Sequence, residues 1–547
     1  MKRTSMLFFV LLVAVLTPRE GSCFDSSDFL VTGLEEIEPA FKEYNGTMHS
    51  GLLPIDVDDD ADLEEKEPRG KLSFWLFTPD ESKDSLTIWL NGGPGCSSYG
   101  AGLFFECGPV TYPHHPAGHG RTSADEPLLP NDYSWTKATN MLFIEQPTGI
   151  GFSVGPTVDT EADLSADFYN FLVNFYTTFP DMNDKSLYIV GESYAGMYVP
   201  SIAHYIHNQN KKGMKKMNLA GIALGNGYVD VMTHGPAVID YAYWHGMIDS
   251  PTKEFLWRAW RRCEKKLPME APFHNFTVTD DCGFTPVVVS AAGGSIFPET
   301  DYYAPNAYDV TTWDNYPLMK TNVNAANTFF NNPEVQKKLH VDKEKVVWEQ
   351  CIPGAGRRRL KEELLPGQIL LAHDQPESVV PYIAELLDDA GIRVLVYAGD
   401  RDMSVNLQGS EQVLNDMVWS GKDDWKSSDR FLWMVDGDVA GYVKTHKNLD
   451  MLMVMNSGHL APYNVPIPSL DLIHRLVGND SFGDIIIPRI DGNDDYFEPV
   501  DSENNWNLQA YWLNILIAML CFGIGACVGP FWKSSQYQQI PNDERHK

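Results

Sequence analysis

Positive charge is scarce in this chain. Forty-two Lys and Arg stand against 74 Asp and Glu, a formal net charge of −32. That balance argues against non-specific binding to nucleic acid and favours an acidic compartment or a glycosylated lumenal face. Cysteine is also sparse: eight in 547 residues, at 23, 96, 107, 263, 282, 351, 521 and 527, with no C-x-x-C metal pattern. There is no G-x-x-x-x-G-K-S/T phosphate loop, no internal repeat and no long low-complexity segment. No metal, nucleotide or flavin pattern is present either, so no cofactor is expected. An apolar content of 43% with 21% charged residues describes a folded chain.

Long apolar runs are confined to the two ends. Lys2 and Arg3 precede an apolar stretch over 6–16, which predicts a signal peptide over 1–22. The uncharged stretch 511–532, with Trp512 and Trp532 near its ends, predicts a single C-terminal transmembrane helix over 509–532. The acidic 479–508 region then reads as a lumenal stalk and 533–547 as a short cytoplasmic tail. In that tail Tyr537 and Ile540 fit a Tyr-x-x-bulky sorting signal for an adaptor. The expected location is therefore a secretory-pathway membrane, with the bulk of the chain lumenal. The trans-Golgi network comes first, and an endosome, vacuole or lysosome is the alternative. Export to an oxidising lumen predicts disulfides. The sequons at Asn45, Asn275 and Asn479 predict glycans on surface loops.

Between the ends, strand-like and helix-like segments alternate. "KLSFWLFTPD", "LTIWLNGG", "NMLFIEQ", "SLYIV", "LAGIALGNG", "IRVLVYAG" and "LDMLMVMNSG" read as strands. The stretch 161–180 has apolar residues at helical spacing and would pack on a sheet. Alternation of this kind predicts an α/β fold with a mostly parallel central sheet flanked by helices. The rhythm breaks over 231–374, read as an inserted cap between core parts 23–230 and 375–478.

"IVGESYAGMYVP" places Ser193 between a strand and a helix, the position of a nucleophile raised on a sharp bend, although Ala195 makes the match to G-x-S-x-G loose. Asp400 and Asp402 follow one later strand and His459 another. Ser, Asp and His in that order at strand ends form the α/β-hydrolase arrangement, and either Asp fits it. "NGGPGCSSYG" supplies amides for an oxyanion, with Gly93 and Tyr194 the natural pair.

The motifs LNGGPGCSS, GLFFECGP, FIEQPTGIGFS, GESYAG, GNGY, YAGDRD and GHLAPYNVP, in this order from about 30 to 477, resemble those of the serine carboxypeptidases. The resemblance implies Ser193, Asp402 and His459 as the triad, which selects Asp402 over Asp400. It implies Asn91, the amide of Gly92, Glu106 and Glu192 as the grip on a substrate's C-terminal carboxylate. Two such acids share a proton, so peptide hydrolysis is expected to favour acidic pH. The resemblance also implies a Cys96–Cys351 disulfide; Cys263–Cys282 looks like a local bridge, and Cys23 and Cys107 are left over as a guessed pair. Val405 and Leu460 depart from the family pattern beside the substrate pocket. A membrane-anchored member is most similar to the fungal prohormone-processing type, which trims C-terminal Lys and Arg. The alternatives are a broad vacuolar or lysosomal carboxypeptidase, an acyltransferase on the same scaffold, or a silent binding module. The partners expected are peptide or protein C-termini, the membrane and a sorting adaptor, with no nucleic acid.

Overall fold

The computed structural model describes residues 24–56, 68–112, 127–265, 305–313, 317–351, 378–483 and 485–487. The chain divides into two units, Met1–Pro488 and Arg489–Lys547, and every described residue belongs to the first.

Its centre is an eleven-stranded sheet. In chain order the strands are β1 Gly46–Pro54, β2 Lys71–Pro79, β3 Ser85–Asn91, β4 Asn140–Glu145, β5 Ser186–Glu192 and β6 Leu219–Gly225. They continue with β7 Arg393–Gly399, β8 Arg430–Val435, β9 Asp438–His446, β10 Leu449–Val454 and β11 Ile485–Ile487. Their order across the sheet is β1-β2-β4-β3-β5-β6-β7-β10-β9-β8-β11. Five neighbouring pairs are parallel and five antiparallel. The sheet is therefore mixed, and the expectation of a mostly parallel one holds only for its middle.

The sequence explains that division. The central strands SLTIWLN and NMLFIE are buried at every position. Strands covered on both faces carry such unbroken apolar runs. β8 and β9 instead mix buried with exposed positions, as strands near an antiparallel edge do. The helix α1, Glu161–Thr178, starts at Thr160, whose hydroxyl accepts a hydrogen bond from Asp163 N at 3.1 Å. It buries Leu164, Phe168, Phe171, Leu172 and Phe175 in the cluster that also holds the β3 and β5 side chains Ile88 and Ile189. The helix α2, Ala195–Lys211, follows β5 directly and lies in the same cluster through Val199, Ile202 and Ile206.

The α/β-hydrolase arrangement stands, but the transmembrane helix expected with it does not. Among the described residues no helix is long and apolar enough to cross a membrane. The longest of them, α1, has 18 residues and carries Glu161, Asp163 and Asp167, charges that the bilayer core opposes. The stretch 509–532 lies outside the described residues, as do 1–22, the 533–547 tail and the sorting pair Tyr537 and Ile540. The membrane partner and the membrane location in the secretory pathway rested on that helix and are withdrawn with it.

Candidate active site

The chemistry-bearing residues collect at the C-terminal ends of adjacent strands. Asn91 ends β3, Glu192 ends β5 with Ser193 after it, Asn226 follows β6, Asp402 follows β7 and His459 follows β10. The sheet order puts these strands side by side, so residues hundreds of positions apart in sequence share one edge.

Ser193 sits at φ +64, a left-handed conformation that non-glycine residues adopt rarely and at a cost. Three backbone hydrogen bonds hold it there: Ser193 N to Gly225 O at 3.0 Å, and Gly196 N and Tyr228 N to Ser193 O at 2.9 Å each. The bend is tight enough that a Cβ on Gly191 would lie 2.6 Å from Ala195 Cβ. Ala at 195 is thus compatible with the elbow because Gly stands at 191.

His459 is buried, and its Nδ1 lies 2.6 Å from Asp402 Oδ2. Donation from Nδ1–H to that carboxylate leaves Nε2 as an acceptor. Nε2 is buried with no hydrogen-bond partner, 4.0 Å from Glu192 Oε1. The Ser193–His459 bond is therefore not made in this state, and such bonds often close only around substrate. Asp402 is fully buried. Its Oδ2 also accepts from Asn226 Nδ2 at 2.7 Å and Val405 N at 3.3 Å, and its Oδ1 from Ser404 N at 2.8 Å. Asp400 accepts instead from Ser457 N at 3.1 Å. Strand position alone left the two Asp open and the family resemblance selected Asp402; the geometry brings Asp402 to the imidazole.

The acids Glu106 and Glu192 are both buried. Burial pushes the Glu106 carboxyl up, while hydrogen bonds from Glu192 and Asn91 and the nearby His459 hold it back. Burial pushes Glu192 well up, and the Glu106 charge, the bond between the two acids and Asp402 push it further. The pair is thus a proton-sharing dyad with the proton mainly on Glu192. Asn91 Nδ2 donates to Glu106 Oε1 at 3.3 Å, and Trp89 Nε1 and Gly102 N fix the Asn91 amide from its oxygen side at 2.8 and 2.9 Å. A Cβ on Gly92 would fall 2.3 Å from Tyr194 N. Only glycine lets this loop reach the amide beside Ser193. Gly93 follows it at φ +118.

Glu106 lies on a π-helical segment, Tyr99–Cys107, a form common at functional sites. The loop before it is tied to residue 351 by the Cys96–Cys351 disulfide, which spans 255 residues, and by Ser97 N donating to Gln350 O at 2.8 Å. Cys107 is a free buried thiol that donates to Gly102 O at 3.4 Å, so it forms no bridge with Cys23.

The remaining expected residues scatter. Val405 is buried against Asp402 and Leu460 is half-buried before the short helix Ala461–Asn464. Asn45 and Asn479 are exposed. Asn275, Cys282 and the side chain of Cys263 lie outside the described residues. Three site residues escaped sequence reasoning: Trp89, Asn226 and Tyr308. Asn226 was visible only as part of a GNGY motif. Tyr308, from the segment 305–313 of the expected cap, accepts from His459 N at 2.8 Å through its carbonyl and sets its ring 4.8 Å from the imidazole. Among the described residues His207, Glu385 and Asp389 could gather round a metal ion. They are already committed, His207 to Asp389 at 3.0 Å and Lys211 to the same carboxylate.

A serine on a strained strand-to-helix elbow, with an Asp-held imidazole at the same sheet edge, defines a serine hydrolase of the α/β class. The sequence pattern described as "Serine carboxypeptidase" matches residues 39–479, and the chain belongs to that family. It is 30% identical to "Serine carboxypeptidase S10 family member 2" of Dictyostelium discoideum, over 84% of this chain and 77% of that one. It is also 30% identical to "Pheromone-processing carboxypeptidase kex1" of Aspergillus oryzae, over 79% of this chain and 66% of that one. Among solved structures, the prohormone-processing carboxypeptidase Kex1(Δ)p of Saccharomyces cerevisiae superposes with a TM-score of 0.70 at 25% identity, covering 85% of this chain and all of that one. The protein is a serine-type carboxypeptidase acting on peptide and protein C-termini.

Proposed function

We propose that Ser193 attacks the last peptide carbonyl, that His459 takes its proton and passes it to the leaving amino acid, and that Asp402 holds the imidazole. Water then releases the acyl-enzyme by the same route in reverse. The amides of Gly93 and Tyr194 stabilise the oxyanion. Asn91, Gly92, Glu106 and Glu192 bind the terminal carboxylate, with the proton on Glu192 donated to it. The 231–374 insertion acts as a cap over this edge.

The observation that carries the reading is the juxtaposition of two units: the 2.6 Å Asp402–His459 pair and, 4.0 Å from the imidazole, the buried Glu192. It explains why cleavage is limited to chain ends. Only a free carboxylate matches a protonated acid buried beside the base. Substituting Ser193→Ala is expected to lower turnover by roughly 10⁴-fold or more. Peptides with amidated C-termini should be poor substrates; equal cleavage of free and amidated peptides would reject the reading.

For substrate class we propose preference for C-terminal Lys or Arg, at acidic pH. The support is the likeness to the pheromone- and prohormone-processing enzymes and the surplus of acids, 74 against 42 bases, which attracts cationic peptides. Release rates for peptides ending in Lys, Arg, Leu and Phe test it. Faster release of Leu and Phe would instead mark a broad enzyme favouring apolar residues.

A further inference from the structure

The proposed chemistry leaves one buried acid unused. Glu145 ends β4, next to β3 and Asn91 in the sheet, and is wholly buried. Three separate elements donate to it. The Ser97 hydroxyl makes a short bond to Oε1, the Trp348 indole donates to Oε1 at 2.8 Å, and Phe152 N donates to Oε2 at 2.6 Å. The chain wraps it closely: a Cβ on Gly151 would lie 2.0 Å from its carboxyl carbon. Among the described residues Glu145 has no cationic partner, and the titratable group facing it is the Tyr99 phenol, itself bonded to the Ser73 hydroxyl at 2.9 Å.

Ser97 is the joint of the site loop. Its hydroxyl also accepts from Tyr99 N at 3.0 Å, at the start of the segment that carries Glu106. Its backbone bonds to Gln350, beside the disulfide. The next residue, Ser98, accepts from Asn91 N at 3.1 Å through its hydroxyl. One carboxyl thus fastens together the 92–98 loop, the Glu106 segment and the 348–351 segment of the insertion.

We propose that Glu145 is a positioning residue for the 92–98 loop and the Glu106 segment, and that it does so in its neutral form. The inference rests on the roles proposed above for Gly93 and Glu106. A neutral carboxyl satisfies the joint if its proton lies in the short bond to Ser97, whose hydroxyl can accept as well as donate, while Trp348 Nε1 and Phe152 N go on donating to it. Ionised, it places a charge with no counter-charge inside the joint, which such sites tolerate poorly. Burial accordingly pushes its carboxyl up to about 7, with the three donors acting against that rise. This control differs from that of the Glu106–Glu192 pair. The pair matters only for substrates with a free carboxylate, whereas a loosened loop also misplaces the oxyanion amide.

The test is hydrolysis of an N-acylated amino-acid ester, which has no free carboxylate, from pH 5 to 9. Wild type, Glu145→Gln, Trp348→Phe and Ser193→Ala are compared. For wild type, kcat/KM should fall several-fold through pH 7. Glu145→Gln is permanently neutral, although its amide nitrogen must face one N–H donor; whatever its level, its ester rate should no longer vary through pH 7, while its peptide rate still declines. Trp348→Phe removes a donor to the ionised form and should move the ester decline to higher pH. Superimposable ester profiles for wild type and these two variants overturn the proposal. If Glu145→Gln fails to fold, the Trp348→Phe shift alone decides. Ester turnover that survives Ser193→Ala would instead indict the proposed nucleophile.

Discussion

Asn226 shows how much one side chain can hold. Its amide nitrogen donates to Asp402 at 2.7 Å and its Oδ1 accepts from Gly399 N at 3.3 Å, joining β6 to β7 beneath the triad. A buried hydrogen bond to a charged group contributes about 1.5–3 kcal/mol. Asn226→Ala should therefore lower kcat roughly tenfold to a hundredfold with little change in KM, measurable on either substrate type. For the dyad, burial raises both acids, and the Glu106 charge raises Glu192 further. The shared proton leaves as pH rises, so peptide kcat/KM should fall on the alkaline side while ester hydrolysis loses less, and a peptidase profile flat to pH 8 would refute this. Glu145 adds a stability prediction. Its folded value of about 7 exceeds its ordinary 4.5, so between those pH values the folded state holds a proton that the unfolded chain has lost. Stability is then fullest below pH 4.5 and declines as pH rises to 7, by about 3 kcal/mol. Urea unfolding of wild type against Glu145→Gln at pH 5 and 7.5 checks the sign. At this scale the proposed nucleophile, base and acids could be picked out because each sits in a compact motif. Trp89, Asn226 and Tyr308 were not, because their roles arise from partners on other strands or in the insertion.

Elements differ in how plainly their sequence announces them. β3, β4, β5 and β7 are unbroken apolar runs that fit only a covered sheet. β1 and β9 escaped notice, since their part-buried patterns carry Gly, Lys and Asp that read as loop. The π-helical Tyr99–Cys107 segment was equally hidden: its glycines suggest a turn, and its helical form depends on Leu103, Phe104 and Phe105 packing inward. Two tests belong to elements. Gly191→Val would drive side-chain atoms into Ala195 and Val199, which already stand 2.6–2.7 Å from a built Cβ. It should abolish activity and lower the melting temperature by several degrees. Removing the Cys96–Cys351 bridge opens a loop of 255 residues and should cost about 5 kcal/mol by loop entropy, read as a melting shift in the double Ala variant.

Over the whole molecule, the α/β-hydrolase arrangement followed from chain rhythm, whereas the balance of parallel and antiparallel pairing did not. Rhythm reports which segments alternate with helices, and the antiparallel flanks contain no such alternation. The gathering of distant residues was inferable only through motif order, since the bond from Asn226 to Asp402 spans 176 positions. The membrane helix was not borne out: the stretch read as a span lies outside the described residues, and no described helix is long and apolar enough to cross a membrane.

The imidazole's place on the strand end after β10 has a consequence for synthesis. A ribosome makes the hydroxyl-bearing half long before the base emerges, and β10 pairs with β7 only once both exist. Nascent chains held in mid-translation therefore carry an unarmed serine. Ribosome-stalled fragments ending short of His459 should leave an organofluorophosphate unreacted, and labelling should appear only once the chain is released whole.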